Sequence, residues 1–171
     1  MRPELRSVAL KCLLVMAFTG LGPSVSGRAD PVVPEEEHCV VNVRPGDVLN
    51  MRAKPSSTAA IVARKRHDEC GIRVNRRCRG NWCPVEDGHS LGWAHRRYLA
   101  MVSPAMYCVS GVAPGDTLNM RAYPSSQSRV IHRLSRRQCG IAFLPYAVGN
   151  WQKIRVEGWQ GWAFRRYLSG Q

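Results

Sequence analysis

Two tryptophans, several arginines and six cysteines are the residues of this chain with chemistry in reach, and most of them come in twos. Trp82 and Trp151 each follow a Gly-Asn turn signal, Gly80-Asn81 and Gly149-Asn150. A half-exposed indole in that position can stack on a sugar or a peptide, or it can cap a core. Arg96-Arg97 and Arg165-Arg166 are paired charges, able to hold a carboxylate or phosphate in two-point fashion or simply to solvate a strand end. Arg52 and Arg121 stand opposite an apolar pair and either satisfy loop carbonyls or line a groove. Trp82, Trp151, Arg52, Arg121, Arg96, Arg97, Arg165 and Arg166 are therefore the candidate ligand-binding residues. Catalytic residues are not expected. The only acid at matching positions in both halves, Asp47 and Asp116, sits in a Pro-Gly-Asp turn, where Asp commonly caps local backbone. No Ser/His/Asp set or phosphate loop is present. The five histidines share no ligand spacing, so no metal or cofactor is expected.

These twos reflect a duplication. Leu49-Asn50-Met51-Arg52-Ala53-Lys54-Pro55-Ser56-Ser57 returns 69 residues later as Leu118-Asn119-Met120-Arg121-Ala122-Tyr123-Pro124-Ser125-Ser126. The same offset relates Cys39 to Cys108, Cys70 to Cys139, Trp93 to Trp162 and Tyr98 to Tyr167. Without a gap, 28 of 61 positions are identical between 39–99 and 108–168, so each copy is a control on the other.

The duplication also sorts the cysteines. Setting Cys12 aside in the leader, Cys39/Cys70 and Cys108/Cys139 occupy equivalent positions and are expected to pair within each copy. Cys78 and Cys83 are absent together from the second copy, which has Ala147 and Gln152, as partners in one bond would be. They flank Arg79-Gly80-Asn81-Trp82, a hairpin tip that brings cross-strand Cβ atoms close. A zinc site built from the four cysteines of the first copy is disfavoured, because no C-x-x-C spacing exists and the second copy would keep only two ligands.

The start of the chain reads as an export signal. Arg2, Arg6 and Lys11 precede a short apolar run, Cys12 to Leu21, and small residues follow to Gly27. The run is too short for a membrane span. A cleaved signal peptide is expected at 1–27 and a flexible lead-in at 28–37, with a periplasmic or secreted product that is not an integral membrane protein. The formal charge of +13 falls only to +11 without the leader, since Arg2, Arg6 and Lys11 are set against Glu4. That excess favours an anionic partner or serves solubility alone.

Short strands broken by turns must position these residues. Leu49 and Met51 alternate with Asn50 and Arg52, and the pattern Gly71-Ile72-Arg73-Val74 alternates likewise. No segment sustains a 3.6-residue period. About five strands with Gly/Pro turns in ~60 residues predict a small closed barrel. The order Leu-Asn-x-Arg-x-x-Pro-Ser, an apolar strand, Gly-Asn-Trp, then Gly-Trp-Ala followed by Tyr-Leu resembles the bacterial SH3 (SH3b) domain, over 39–99 and again over 108–168. The resemblance implies an all-β chain of two tandem, disulfide-stapled SH3-like barrels, at 38–100 and 106–171, joined by a linker at 101–105. It also implies a binding or targeting role in the bacterial envelope, often toward peptidoglycan. The expected partner is peptidoglycan or another anionic envelope polymer, met by a monomer without specific nucleic-acid binding. The alternative is a periplasmic protein-protein adaptor.

Overall fold

The computed structural model describes residues 32–170. The expected signal peptide at 1–27 and the first residues of the lead-in lie outside them. Each copy folds into one seven-stranded antiparallel sheet around its own core. The first barrel comprises β1 (Glu37–Val40), β2 (Val48–Arg52), β3 (Ile61–Arg66), β4 (Ile72–Val74), β5 (Trp82–Glu86), β6 (Leu91–His95) and β7 (Leu99–Met101). The second comprises β8 (Met106–Val109), β9 (Thr117–Arg121), β10 (Val130–Ser135), β11 (Ile141–Val148), β12 (Trp151–Val156), β13 (Trp159–Phe164) and β14 (Leu168–Gly170). Strand order is β3-β2-β6-β5-β4-β1-β7 in one and β10-β9-β13-β12-β11-β8-β14 in the other. A single 3-10 turn, Arg96–Tyr98 or Arg165–Tyr167, precedes each last strand.

The alternation read from sequence sets the faces. Leu49 and Met51 of β2 are buried while Asn50 and Arg52 are not, and β9 repeats the pattern. Ile72, Val74, Val85, Ala94 and Leu99 close the first core. Ile141, Phe143, Ile154 and Ala163 do the same in the second. All three expected disulfides form: Cys39–Cys70, Cys78–Cys83 and Cys108–Cys139. In the chain-entropy picture the long loops contribute almost 4 kcal/mol each and the short hairpin bond about 2 kcal/mol.

One expectation is corrected. The lead-in at 28–37 is not a flexible tail from Val32 onward. Val32 is buried in the first core, Glu35 bonds through its backbone to Val74 and through its carboxylate to Arg73, and β1 starts at Glu37. Val32, in the short Pro31-Val32-Val33-Pro34 run, is drawn into the core, which the polar composition of the segment as a whole does not reveal. The connector likewise keeps little freedom. Met101 belongs to β7, and Val102 is buried in a small cluster with Cys39 and Leu144.

That cluster marks a seam between the barrels. Glu37 of β1 receives both guanidinium nitrogens of Arg155 from β12, at 2.7 and 2.6 Å. Lys153 reaches Asp68 at 2.6 Å, and the Tyr146 hydroxyl donates to the Val40 carbonyl at 2.7 Å. Arg155 holds the Glu37 carboxyl below its ordinary range, against the opposing effect of burial. Burial also raises the Tyr146 hydroxyl far above its usual pKa. The linker residues 101–105 thus join two barrels that are directly bonded to one another.

Candidate binding grooves

The first groove opens between the loop after β1, β2 and the β5–β6 hairpin. Asn42, Val43, Asp47, Leu49, Asn50, Arg52, Trp82, His95, Arg97 and Tyr98 line a cavity of ≈ 630 Å³. The second copy carries its counterpart, a cavity of ≈ 450 Å³ lined by Gly111, Val112, Asp116, Leu118, Asn119, Arg121, Trp151, Phe164 and Tyr167. Each residue of the second groove stands 69 positions after one of the first. The fold places the groove where the strands and the 3-10 turn converge.

A row of rings forms one wall. Trp82 meets His95 edge to face at 5.4 Å between centroids, and His95 meets Tyr98 at 5.9 Å. In the second barrel Trp151 meets Phe164 at 5.4 Å, and Phe164 meets Tyr167 at 6.3 Å. The sequence singles out the tryptophans. It hides the row, because its middle member changes from His95 to Phe164 and identity between copies does not flag it. What is kept is a flat ring at that register.

The arginines divide by role. Arg52 Nη1 donates to the Ala59 carbonyl at 2.7 Å, and Arg121 Nη1 donates to the Ser128 carbonyl at 2.5 Å, so each guanidinium braces a loop while lining its groove. Arg97 lies 5.2 Å over the Tyr98 ring, and Arg166 5.0 Å over the Tyr167 ring. Both are cation–π placements, but only Arg97 lines its groove, and Arg166 is not part of the second groove's lining. Arg96 and Arg165 line neither groove, and Arg165 lies instead 6.0 Å from the Phe143 ring.

Two polar details distinguish the first groove. The Asn50 side-chain oxygen is buried and has no hydrogen-bond partner, an acceptor left open beside the cavity. His95 Nδ1 accepts the Arg97 amide at 3.4 Å, and both burial and the Arg97 charge keep the ring below its usual pKa. It is therefore a neutral ring at pH 7. Asp47 Oδ1 and Asp116 Oδ1 each accept the following backbone amide at 2.7 Å, the local cap that the Pro-Gly-Asp turns predict.

Comparison with known proteins agrees with this architecture. Residues 46–100 match the family model of the bacterial SH3 domain. No curated protein matches the chain. Among solved structures, NlpC2 from Trichomonas vaginalis is similar at 14% identity over 80% of this chain and 48% of its own, with a TM-score of 0.37. NlpC1 from the same organism is similar at 12% identity over 82% of this chain and 47% of its own, also with a TM-score of 0.37. The chain spans about half the length of these two. Among the described residues no helix is long and apolar enough to cross a membrane. Residues 46–100 thus match a bacterial SH3 domain, and the second copy repeats the sheet order, the long disulfide and the groove of the first.

Proposed function

We propose that this protein is a non-catalytic binding module of the bacterial cell envelope, exported to the periplasm or beyond it, whose two grooves hold peptidoglycan or another anionic envelope polymer. The observation that carries this reading is the groove's recurrence in both barrels. Core positions in duplicated barrels are kept for packing. An open cleft has no such reason to keep an indole, a second ring, a tyrosine and an arginine in register. The chemistry suits a mixed ligand: rings for an apolar or sugar face, arginines at the rim for carboxylates. Three disulfides are bonds that persist in oxidising compartments. The recurring acid is engaged in its own turn, which favours binding over acid–base chemistry. Two weak sites on one chain gain avidity on a polymer that presents repeats at matching spacing.

The test is co-sedimentation of the mature protein with purified sacculi across a salt series, beside Trp82→Ala/Trp151→Ala checked for folding by circular dichroism. Retention at about 0.15 M salt, where screening reaches ~8 Å, together with loss in the folded double variant, is the expected result. Binding that salt alone abolishes would reduce the grooves to a basic surface. No binding at all would overturn the polymer reading and direct the search to a periplasmic protein.

A further inference from the structure

We propose that the second barrel carries an additional site, separate from the grooves, at which a saccharide ring docks on Trp159. Trp159 opens β13 with 48% of its surface exposed, although it lies within a strand. It stacks on His132 of β10, with centroids 5.2 Å apart and planes 11° from parallel. The stack fixes the plane of an indole that would otherwise swing through several rotamers.

A carboxylate stands beside this platform and is itself held. Glu157 and Gly158 form the turn between β12 and β13 with φ of 49° and 80°, the left-handed pair that a two-residue hairpin turn requires. Glu157 Oε1 accepts Gln138 Nε2 at 3.0 Å, while Gln138 Oε1 is fixed in turn by the Ser135 amide at 2.9 Å. The second oxygen of Glu157 lies 3.9 Å from His132 Nε2. Glu157 also borders a cavity of ≈ 420 Å³ at the seam between the barrels.

The first barrel provides the control. At the positions of Trp159, His132, Glu157 and Gln138 it has Ser90, Ala63, Gly88 and Glu69, and its sheet forms without them. The cluster is therefore an addition to the fold rather than a requirement of it. Its chemistry is that of sugar recognition. A pyranose offers a face of weakly positive C–H bonds to the negative face of an indole, and hydroxyls at its rim to an adjacent carboxylate and imidazole. A peptide would seek an unpaired strand edge, and β13 has none, since it lies between β9 and β12.

The experiment titrates the mature full chain with a soluble chito-oligosaccharide and a cello-oligosaccharide of the same length, followed by the indole N–H signals in NMR. Saturable shifts of the Trp159 signal are expected in the unaltered protein. Affinity should fall about tenfold or more in Trp159→Ala and several-fold in Glu157→Gln, while Trp159→Tyr retains most of it. In Trp82→Ala/Trp151→Ala the Trp159 signal should still shift and saturate at the same sugar concentration, whatever those substitutions do to binding in the grooves, which separates this site from them. Two results would overturn the proposal: no Trp159 shift with either sugar, or sugar binding that survives Trp159→Ala but fails in the groove variant.

Discussion

Gly161 admits no side chain. A Cβ there would stand 2.7 Å from Ile131 Cδ1, 2.7 Å from Met120 Cγ and 2.8 Å from the Arg121 carbonyl, where β13 crosses β9. Its counterpart Gly92 faces Val62 Cγ2 at 2.8 Å and the Arg52 carbonyl at 3.0 Å. The need is close approach rather than an unusual φ. Gly161→Ala is expected to cost about 1–3 kcal/mol, read as a lower urea midpoint with an unchanged slope. His38 is one residue through which mild acid acts. It is buried in β1, its Nε2 accepts the Val33 amide at 3.0 Å, and its Nδ1–H donates to the Glu36 carbonyl at 2.9 Å. Burial holds its pKa below the ordinary 6.5. The unfolded chain then takes up a proton that the folded chain refuses, so stability is full above about 6.5 and declines as pH falls toward the folded value. His38→Gln keeps a donor and an acceptor without titrating. Denaturation at pH 7.5 and 5 should show a smaller loss in the variant than in the parent, and an equal loss would exclude His38 as the source.

At the scale of elements, one hairpin is closed in two ways. In the first barrel β4 stops at Val74, and the arm toward Trp82 is held by the Cys78–Cys83 bond and an isolated bridge between Arg79 and Trp82. In the second, β11 runs on to Val148 and pairs Ala147 with Gln152, whose side-chain amide donates to the Leu144 and Tyr146 carbonyls at 2.7 and 3.0 Å. A covalent staple in one copy stands where hydrogen bonds serve in the other. Gln152→Leu leaves three carbonyls, of Leu144, Tyr146 and Lys153, without that donor and should cost about 2 kcal/mol in the thermal or urea transition. Reduction of Cys78–Cys83 should broaden the Trp82 indole signal and leave Trp151 sharp; equal broadening would show that the bond does not brace its groove. The pairing of these cysteines was legible in the sequence, because the duplication removed them together. The length of β11 was not, since Pro145 inside it and Arg76-Arg77 opposite in the alignment look like turn material. Alternation likewise exposed β2 and β4 but not β7, a three-residue strand that exists only by pairing with β1.

Across the whole molecule, the seam is built from the residues in which the copies differ. Tyr146, Lys153 and Arg155 replace Arg77, Pro84 and Glu86 of the first barrel. The differences are visible in the sequence, but their purpose needs the two barrels side by side. Glu37→Gln removes the charge from a two-point pair whose side chains are 30% and 33% exposed, and that exposure limits its contribution to roughly 1 kcal/mol. The variant should keep the barrels tumbling together in 15N relaxation, because Lys153–Asp68, Tyr146–Val40 and the Val102–Leu144 cluster remain, and should show only a small drop in the unfolding midpoint. Because Arg155 keeps the Glu37 carboxyl below its ordinary 4.5, the ion pair contributes fully above about that pH and is lost only as pH falls through the lower folded value. Acid should therefore act first on β1 through His38 and only later on the seam.

The seam also decides how far such an arrangement can grow. It joins unlike surfaces, β1 and the turn after β3 of one barrel to β11 and β12 of the next, and contacts of that kind extend into open chains unless something stops them. Here the counterparts on both sides are wrong for a further step. Where the first barrel presents Glu37 and Asp68, the second presents Met106 and Arg137. Where the second presents Lys153 and Arg155, the first has Pro84, which is buried, and Glu86. A third barrel arriving at either end would find no acid for its lysine and no base for its carboxylates, so the same exchange of residues that fastens the pair disfavours repeating that contact with a further copy.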